Sequence, residues 1–358
     1  MNHFSPYCSV VEASELIACC LAKNIPFYAC RYPDEEDCCF GAQVNSHPVA
    51  QVTDGFRVVP FNVDGEDAPF TIVPDTYPAD KRSLQALPVR EVKEKHLPGV
   101  DIDKNTYLND VQSVVDAMKK DKAVFSKLVF SRTITRSCDT ASFLPQYFAR
   151  LCTRYPSAYV FMVYNPGVCG WMGATPEVLL LSQPQGYATM ALAGTRVAGI
   201  CEEWGRKEIA EQQYVTHYIA EKLQQCGLDN VTTHTYTKQA AQVEHLCTHF
   251  DIDARHDAML RDRLLSHLHP TPAVAGVPMP EVVSAIEGVE KHSRRYYGGY
   301  IGEALPDGCC RLYVNLRSME FTSHAVRLYV GGGLTADSVA QDEWNETCAK
   351  SQTLLSAF

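Results

Sequence analysis

The sequence contains no C-x-x-C pair, although it has 15 cysteines. Sites for soft metals need Cys or Cys/His ligands at short, regular spacings, so this pattern argues against such a metal. The neighbouring doublets, such as Cys19–Cys20 and Cys38–Cys39, are typical of small apolar core residues. The odd count and the lack of a secretory leader pattern predict reduced thiols in a cytoplasmic protein.

Positive charge and long apolar runs are also scarce. The chain has 32 Lys and Arg against 42 Asp and Glu, which gives a net charge of −10. We therefore expect neither a nucleic acid nor an anionic membrane as a partner. The longest apolar run near the start, Leu16 to Ala22, is too short to span a bilayer. An anionic ligand would have to be held by local cations, N–H groups or a metal against the overall charge.

The chain of 358 residues, 46% of them hydrophobic, is long enough for a large core. After one early helix at about Glu12–Lys23, the first 100 residues contain short aromatic and β-branched runs separated by Asp, Gly and Pro. Further along, strands outnumber crossover helices and follow one another directly, which favours mostly antiparallel sheets. We predict an α+β fold, with a β-rich region at 1–100 packed onto a main region at 105–358. We expect both regions to form one compact structural unit.

A candidate site is formed by the stretch from Leu328 to Ser356, where LYV runs into three glycines and then a helix. The glycines predict a turn with positive φ that brings N–H groups close to a bulky group. Glu343, Glu346 and Lys350 are spaced three and four apart and share one helix face, which Phe358 continues, so we expect this face to point inward. The alternative is a hairpin tip followed by a solvated amphipathic helix.

A second acidic pair, Glu208 and Glu211, lies in a helix predicted at about Glu203–Gln225. Glu211 extends an apolar stripe of this helix, so we expect its carboxylate to point inward. Two inward carboxylate pairs favour a hard divalent cation, and we predict Mg²⁺. The alternative is a pair of surface carboxylates that suit the helix N-terminus.

Several motifs in one order resemble those of the chorismate-utilising enzymes, which include the isochorismate, salicylate, anthranilate and aminodeoxychorismate synthases. The resemblance covers about Lys127 to the C-terminus. Its markers are KLVFSR (127–132), GATPE (173–177), LAGTR (192–196), HLHPTPAVAG (267–276), E-x-x-x-R-x-x-Y-x-G (290–299), LYVGGGL (328–334), DEWNET (342–347) and Lys350. The resemblance implies two large, mostly antiparallel sheets flanked by helices, with the active site between them.

The resemblance also implies which residues form the site. Mg²⁺ would be held by Glu211 and Glu346, with Glu208 and Glu343 as supporting or water-mediated ligands. The substrate-binding residues would be Arg317 and Tyr297 at the enolpyruvyl carboxylate, Thr195 and His245 at the ring, and Lys350 with the backbone N–H groups of Gly331 and Gly333 at a further carboxylate. An arginine fork suits a planar carboxylate better than a lysine does.

Which reaction the resemblance implies depends on two positions, Lys127 and Ala193. Lys127 matches the lysine of the water-using members, and a buried lysine that has lost its proton can act as a general base. Glu177 matches the general acid that protonates the departing C4 hydroxyl. Ala193 stands where aminodeoxychorismate synthases typically carry a nucleophilic lysine, which argues against that activity. We therefore predict an isochorismate synthase that needs no glutamine amidotransferase and acts as a monomer or weak dimer.

Four other functions stay open at this level. A salicylate synthase would add pyruvate elimination in the same pocket, and an anthranilate synthase-type component would use ammonia. A non-catalytic chorismate-binding protein and a metal-dependent hydrolase are the remaining alternatives. The chain also departs from the family: Glu208 replaces aspartate and Gln212 replaces histidine in the K-D-x-x-E-H run, and Ala340 replaces a proline.

Overall fold

The computed structural model of the chain describes residues 6–45, 54–93, 97, 101–120, 125–199, 203–240, 243–279 and 281–358. Parts of the predicted 1–100 region and one cysteine, Cys201, lie outside these residues. Within them, no helix combines the length and the apolar character that crossing a bilayer requires.

The described residues form 17 strands, the longest of which has 12 residues. In chain order they are β1 (Tyr7–Cys8), β2 (Phe27–Arg31), β3 (Cys38–Ala42), β4 (Gly55–Val59), β5 (Phe70–Ile72), β6 (Lys127–Ser137), β7 (Tyr159–Asn165), β8 (Cys169–Thr175), β9 (Val178–Gln183), β10 (Gly186–Val197), β11 (Val231–Ala240), β12 (Val243–Asp253), β13 (Gly276–Val277), β14 (Tyr300–Ala304), β15 (Cys310–Val314), β16 (Ser318–Phe321) and β17 (Ala325–Leu334). The helices are α1 (Val10–Lys23), α2 (Lys81–Ala86), α3 (Lys104–Lys120), α4 (Thr140–Arg154), α5 (Arg206–Gln225), α6 (Ala258–Leu268), α7 (Glu281–Val289) and α8 (Ala340–Leu355).

The strands form two large sheets. The nine-stranded sheet has the order β1-β3-β2-β7-β8-β16-β17-β6-β13, and the eight-stranded sheet has the order β11-β12-β10-β9-β15-β14-β4-β5. The paired strands run antiparallel, for example β17 with β6 and β10 with β12. The predicted α+β fold with two mostly antiparallel sheets is therefore confirmed. Strands β1 to β3 extend one sheet and β4 and β5 the other, while the division at residue 100 stays a prediction.

An aromatic core joins the two sheets face to face. Tyr159 and Tyr313 stack at 4.0 Å between ring centroids, and Tyr28 stacks on Phe56 at 4.2 Å. Trp171 is fully buried in the same layer. Helices α1 and α4 cover the outer face of the nine-stranded sheet, and α5 covers strand β10 of the other. Large aromatic rings bury much apolar area and pack in defined geometries, so this layer holds the two sheets together.

Two local predictions are corrected by the structure. Gly331, Gly332 and Gly333 do not form a turn, because they lie inside β17 and pair with Ser131, Phe130 and Val129 of β6. They are also absent from the glycines with positive φ in the described chain. Helix α8 ends at Leu355, so Phe358 does not continue its inward face and is 40% exposed.

Candidate active site

A cavity of about 60 Å³ lies between the two sheets. Strand β17 supplies the three glycines on one side, and strands β10 and β12 supply Thr195 and His245 on the other. Helices α5 and α8 contribute Glu211 and Lys350, and the turn between β8 and β9 contributes Glu177. The cavity is therefore built by segments that are far apart in the sequence.

The glycines serve close approach rather than a special backbone conformation. A Cβ atom on Gly332 would lie 3.2 Å from Glu343 Oε2 and 3.4 Å from Glu346 Oε1. A Cβ atom on Gly333 would lie 2.9 Å from Lys127 Cε and would also collide with Glu211 Oε1. Any larger residue would thus displace the charged groups from this strand.

Three lysine–carboxylate pairs surround these glycines. Lys127 is fully buried at the start of β6, and its Nζ lies 2.9 Å from Glu211 Oε1. Lys207 Nζ lies 2.7 Å from Glu343 Oε1, and Lys350 Nζ lies 2.6 Å from Glu346 Oε1. Buried carboxylates are costly unless they are paired or bind a metal, and here each one has an ammonium partner.

The electrostatics of the carboxylates differ. Burial raises the pKa of Glu343, and the neighbouring Glu346 raises it further. Burial acts in the same direction on Glu211, but Lys127, Lys350 and Lys207 together hold the pKa of Glu211 below its usual value. Glu211 therefore stays ionised more readily than Glu343.

A hard cation fits this arrangement in part. Glu343 Oε2 is buried without a hydrogen-bond partner of good geometry, and it faces the same strand as Glu346. Over the described ranges, however, no group of three or more His, Cys, Asp or Glu side chains is already arranged around a metal position. The carboxylates are suitable oxygen ligands, provided that the lysines release them.

Glu208 lies apart from the other three carboxylates. Its Oε2 is turned back toward Gly205, the residue that caps the N-terminus of α5. A carboxylate in the first turn of a helix suits the helix dipole. For Glu208 this position agrees with the alternative given in the sequence analysis for the pair Glu208 and Glu211.

Glu177 is a buried carboxyl with a strongly perturbed acidity. It is 2% exposed, and Thr271 Oγ1 donates to its Oε1 at 3.4 Å. Burial raises the pKa of Glu177 from 4.5 to about 7, although Lys127, Thr271, Lys238 and Arg317 each act to lower it. A protonated fraction of this carboxyl is thus present at neutral pH.

A chain of hydrogen bonds links both sheets across the cavity. Arg317 Nη2 lies 3.2 Å from His245 Nε2, and His245 Nδ1 lies 3.2 Å from Thr195 Oγ1. A guanidinium can only donate, so Nε2 accepts and the imidazole proton lies on Nδ1. Burial lowers the pKa of His245 well below 6.5, and Arg317 lowers it further. His245 is therefore neutral in this chain of contacts.

Arg317 adopts an unusual backbone conformation. Its φ is 47°, in the left-handed region, and its carbonyl oxygen accepts from Ala174 N at 3.0 Å. Strain of this kind concentrates at functional sites, where the surrounding structure enforces it. The side chain is 9% exposed, and Nη1 also donates to Thr353 Oγ1 at 3.1 Å.

Tyr297 lies against the E-x-x-x-R motif, because its backbone N donates to Arg294 O at 2.8 Å. Glu290 accepts from Arg294, with 2.6 Å between Oε1 and Nη2, and from Ser131 N at 2.7 Å. Arg294 Nη1 donates to Val274 O at 2.6 Å, which ties the HPTPAV segment to this network. Burial raises the pKa of Tyr297 to about 12, so the phenol keeps its proton as a donor.

Most predicted site residues are brought together. The cavity is lined by Glu177, Thr195, Glu211, His245, Tyr297, Arg317, Gly331, Gly333 and Lys350. Lys127, Glu343 and Glu346 lie against the same glycine strand, and Glu208 does not join them. Lys350 Nζ donates to Gly331 O at 3.0 Å as well as to Glu346.

Sequence reasoning missed three residues beside the cavity. Lys207 pairs with Glu343, and its position four residues before Glu211 on one helix was an available signal. Thr271 contacts Glu177 from within the HPTP segment, which the sequence analysis used only as a family marker. Lys238 donates to Pro176 O at 2.9 Å from β11, and no local pattern distinguished it from a surface lysine.

Comparisons with known proteins agree with this geometry. A family model described as "Chorismate binding enzyme" matches residues 66–358. Isochorismate synthase 2, chloroplastic, of Arabidopsis thaliana is 29% identical over 276 residues, covering 73% of this chain and 48% of that protein. Isochorismate synthase EntC of Escherichia coli (strain K12) is 28% identical over 245 residues, covering 65% of this chain and 62% of that protein. The match thus spans roughly half to three-fifths of these relatives.

A solved structure resembles the fold over nearly its whole length. It is MenF, the menaquinone-specific isochorismate synthase from Escherichia coli, with a TM-score of 0.76 and 18% sequence identity. The likeness covers 96% of this chain and 91% of that one. At this identity it is evidence for the fold alone.

Proposed function

The chain belongs to the chorismate-binding enzyme family, and we propose that it is a Mg²⁺-dependent isochorismate synthase. It would convert chorismate to isochorismate by adding water at C2 with loss of the C4 hydroxyl. The names of the two curated relatives support this choice within the family.

The observation that carries the proposal is that a buried amine, Lys127, and a buried carboxyl of raised pKa, Glu177, lie at one site. Water is a poor nucleophile, and hydroxide is a poor leaving group unless it is protonated as it departs. The reaction therefore needs an unprotonated base at C2 and a protonated acid at C4 at the same pH. Glu177, with a pKa of about 7, suits the acid, and Lys127 would be the base after it gives up its proton and releases Glu211.

Each proton has a source and a destination in this scheme. Lys127 takes a proton from the attacking water as its oxygen bonds to C2. The ring double bonds shift, the C4–O bond breaks, and Glu177 gives its proton to the departing hydroxyl, which leaves as water. The reaction is thus a net isomerisation, and the two residues return to their starting states by exchanging one proton through solvent.

The cations and donors of the site would hold the substrate. Arg317 and Tyr297 would bind the enolpyruvyl carboxylate, because both are buried donors on one wall of the cavity. Thr195 and neutral His245 would contact the ring. Lys350 and the N–H groups of Gly331 and Gly333 would bind a further carboxylate.

Glu211 and Glu346 would hold the Mg²⁺ ion, and Glu343 would support it through its unpartnered Oε2. Bound there, Mg²⁺ would neutralise the ring carboxylate and stabilise the charge that develops during the reaction. Glu208 would take part only if its side chain turned away from Gly205.

Incubation with chorismate and Mg²⁺, followed by chromatography of the products, tests the proposal. We expect isochorismate, and we expect Glu177→Gln to form almost none. Salicylate with pyruvate would instead indicate a salicylate synthase, and anthranilate formed from ammonia would indicate an anthranilate synthase-type component. Binding of chorismate without any product would overturn the assignment of an enzyme. We also propose that the protein acts without an amidotransferase, as a monomer or weak dimer in the cytoplasm.

A further inference from the structure

Gln212 connects α5, which carries the proposed metal ligand Glu211, to β10, which carries Thr195. It directly follows Glu211 on α5 and is 5% exposed. Its Oε1 accepts from Ala193 N at 2.8 Å, and its Nε2 donates to Ala191 O at 3.0 Å. Nε2 also donates to Thr248 Oγ1 of β12 at 3.0 Å. One buried amide thus bonds to the backbone of β10 at two residues and to its neighbour strand.

These bonds fall where β10 is irregular. The pairing of β10 with β12 shifts between Ala193 and Thr195, and Gly194 between them has φ of 62°. A bulge leaves backbone groups outside the ladder, and a buried N–H needs another partner. The amide oxygen of Gln212 is that partner for Ala193 N. The bulge in turn sets where Thr195 stands in the cavity.

Helix α5 lies directly against the same bulge. A Cβ atom on Gly194 would be 2.8 Å from the backbone oxygen of Glu208, so the helix and the strand are in close contact there. The distance between β10 and α5, which carries Glu211, is therefore fixed at two points. One is the close contact at Gly194, and the other is the set of hydrogen bonds of Gln212. Movement of α5 away from β10 would break both amide bonds together.

We propose that Gln212 is a positioning residue that couples Glu211 to Thr195, and so couples the metal site to the ring site. The inference rests on the proposed function for the identity of the two ligands. Glutamine suits the role because its planar amide offers an acceptor and two donors and carries no charge at any pH. Methionine has a similar length but can make neither bond, whereas neutral histidine keeps one acceptor and one donor.

The test compares Gln212→Met and Gln212→His with the control Thr216→Val at pH 8. Thr216 contacts the same network, at 3.4 Å from Gln212 Nε2 and 3.2 Å from Thr248 Oγ1, but does not bond to β10. Three quantities are measured: Mg²⁺ affinity by calorimetry without substrate, chorismate KM and kcat, and hydrogen exchange of the Ala193 amide.

We expect Gln212→Met to speed Ala193 exchange and to weaken Mg²⁺ binding and raise KM together, each about tenfold. Gln212→His should recover most of this loss, and Thr216→Val should stay within twofold of the wild type. The proposal is overturned if Gln212→Met lowers only the melting temperature, with Mg²⁺ affinity and KM unchanged. If Gln212→Met does not fold, Gln212→His is compared with Gln212→Leu instead. The proposal is then overturned if these two variants have the same KM and the same Mg²⁺ affinity. A wild type that does not turn over chorismate would defeat the proposed function, while Ala193 exchange would still decide whether Gln212 holds the bulge.

Discussion

Replacing Glu177 with glutamine is expected to stabilise the protein at neutral and alkaline pH while removing its activity. Burial raises the pKa of this carboxyl from 4.5 to about 7 in the folded chain. Between these pH values the folded state binds a proton that the unfolded state has lost, so stability falls as pH rises through this interval. Glutamine has the same shape, carries no charge, and keeps an oxygen for Thr271.

The magnitude follows from the two pKa values. Each pH unit between them is worth about 1.4 kcal/mol, so ionised Glu177 lowers the free energy of unfolding by about 3 kcal/mol above pH 7. At pH 5.5 the corresponding cost is only about 1.4 kcal/mol. The advantage of Glu177→Gln should therefore grow by about 2 kcal/mol between pH 5.5 and pH 8.

Urea unfolding of both proteins at several pH values measures this difference, with the exposed Glu36→Gln as the control. The control should track the wild type at every pH. Burial does not destabilise ionised Glu177 if Glu177→Gln is no more stable than the wild type at pH 8. The same conclusion follows if the difference in the free energy of unfolding does not change with pH. A stabilised variant that keeps full activity would support the burial argument but reject Glu177 as the acid.

Four further results are expected from the same site. The kcat/KM for chorismate should fall as pH rises through about 7. Lys238→Met should move this fall to higher pH, because Lys238 is one of the cations that lower the pKa of Glu177. An unchanged pH profile in Lys238→Met would contradict the assignment of this fall to Glu177. Arg317→Ala should raise chorismate KM about a hundredfold or more, since removing one partner of a buried charged pair costs about 3–5 kcal/mol, and an unchanged KM would make Arg317 structural. Lys127→Gln should lose nearly all turnover yet still bind chorismate in calorimetry, whereas near-normal turnover would mean that water is activated elsewhere. Excess EDTA should abolish activity, and Glu346→Gln should do so without changing the circular dichroism spectrum; full activity in EDTA would exclude the metal.

The sheet architecture could be predicted because strand patterns and direct strand-to-strand succession are local features. The spacing of Glu343, Glu346 and Lys350 was also enough to place them on one helix, which the structure has at Ala340–Leu355. The family resemblance was confirmed, since the family model covers residues 66–358 and not only the C-terminal two-thirds.

Other features depend on contacts that no local pattern encodes. Three glycines in a row signal either positive φ or close approach, and only the pairing of β17 with β6 shows that close approach applies. The lysines that neutralise the carboxylates come from β6, α5 and α8, so their convergence requires the tertiary fold. Glu208 and Glu211 are three residues apart, yet only Glu211 reaches the cavity, because the Glu208 carboxylate turns back toward Gly205 at the start of α5.

In the proposed reaction, water activated beside Lys127 attacks C2 of chorismate, and the C4 hydroxyl leaves. A single-turnover reaction in H₂¹⁸O with Mg²⁺ tests it most directly, with the isochorismate analysed by mass spectrometry and its C2 oxygen identified by ¹³C NMR. Isochorismate from the wild type should carry one ¹⁸O atom per molecule, located on C2, and Lys127→Gln should form no product. Isochorismate without ¹⁸O, or equal labelling by Lys127→Gln at the wild-type rate, would contradict it.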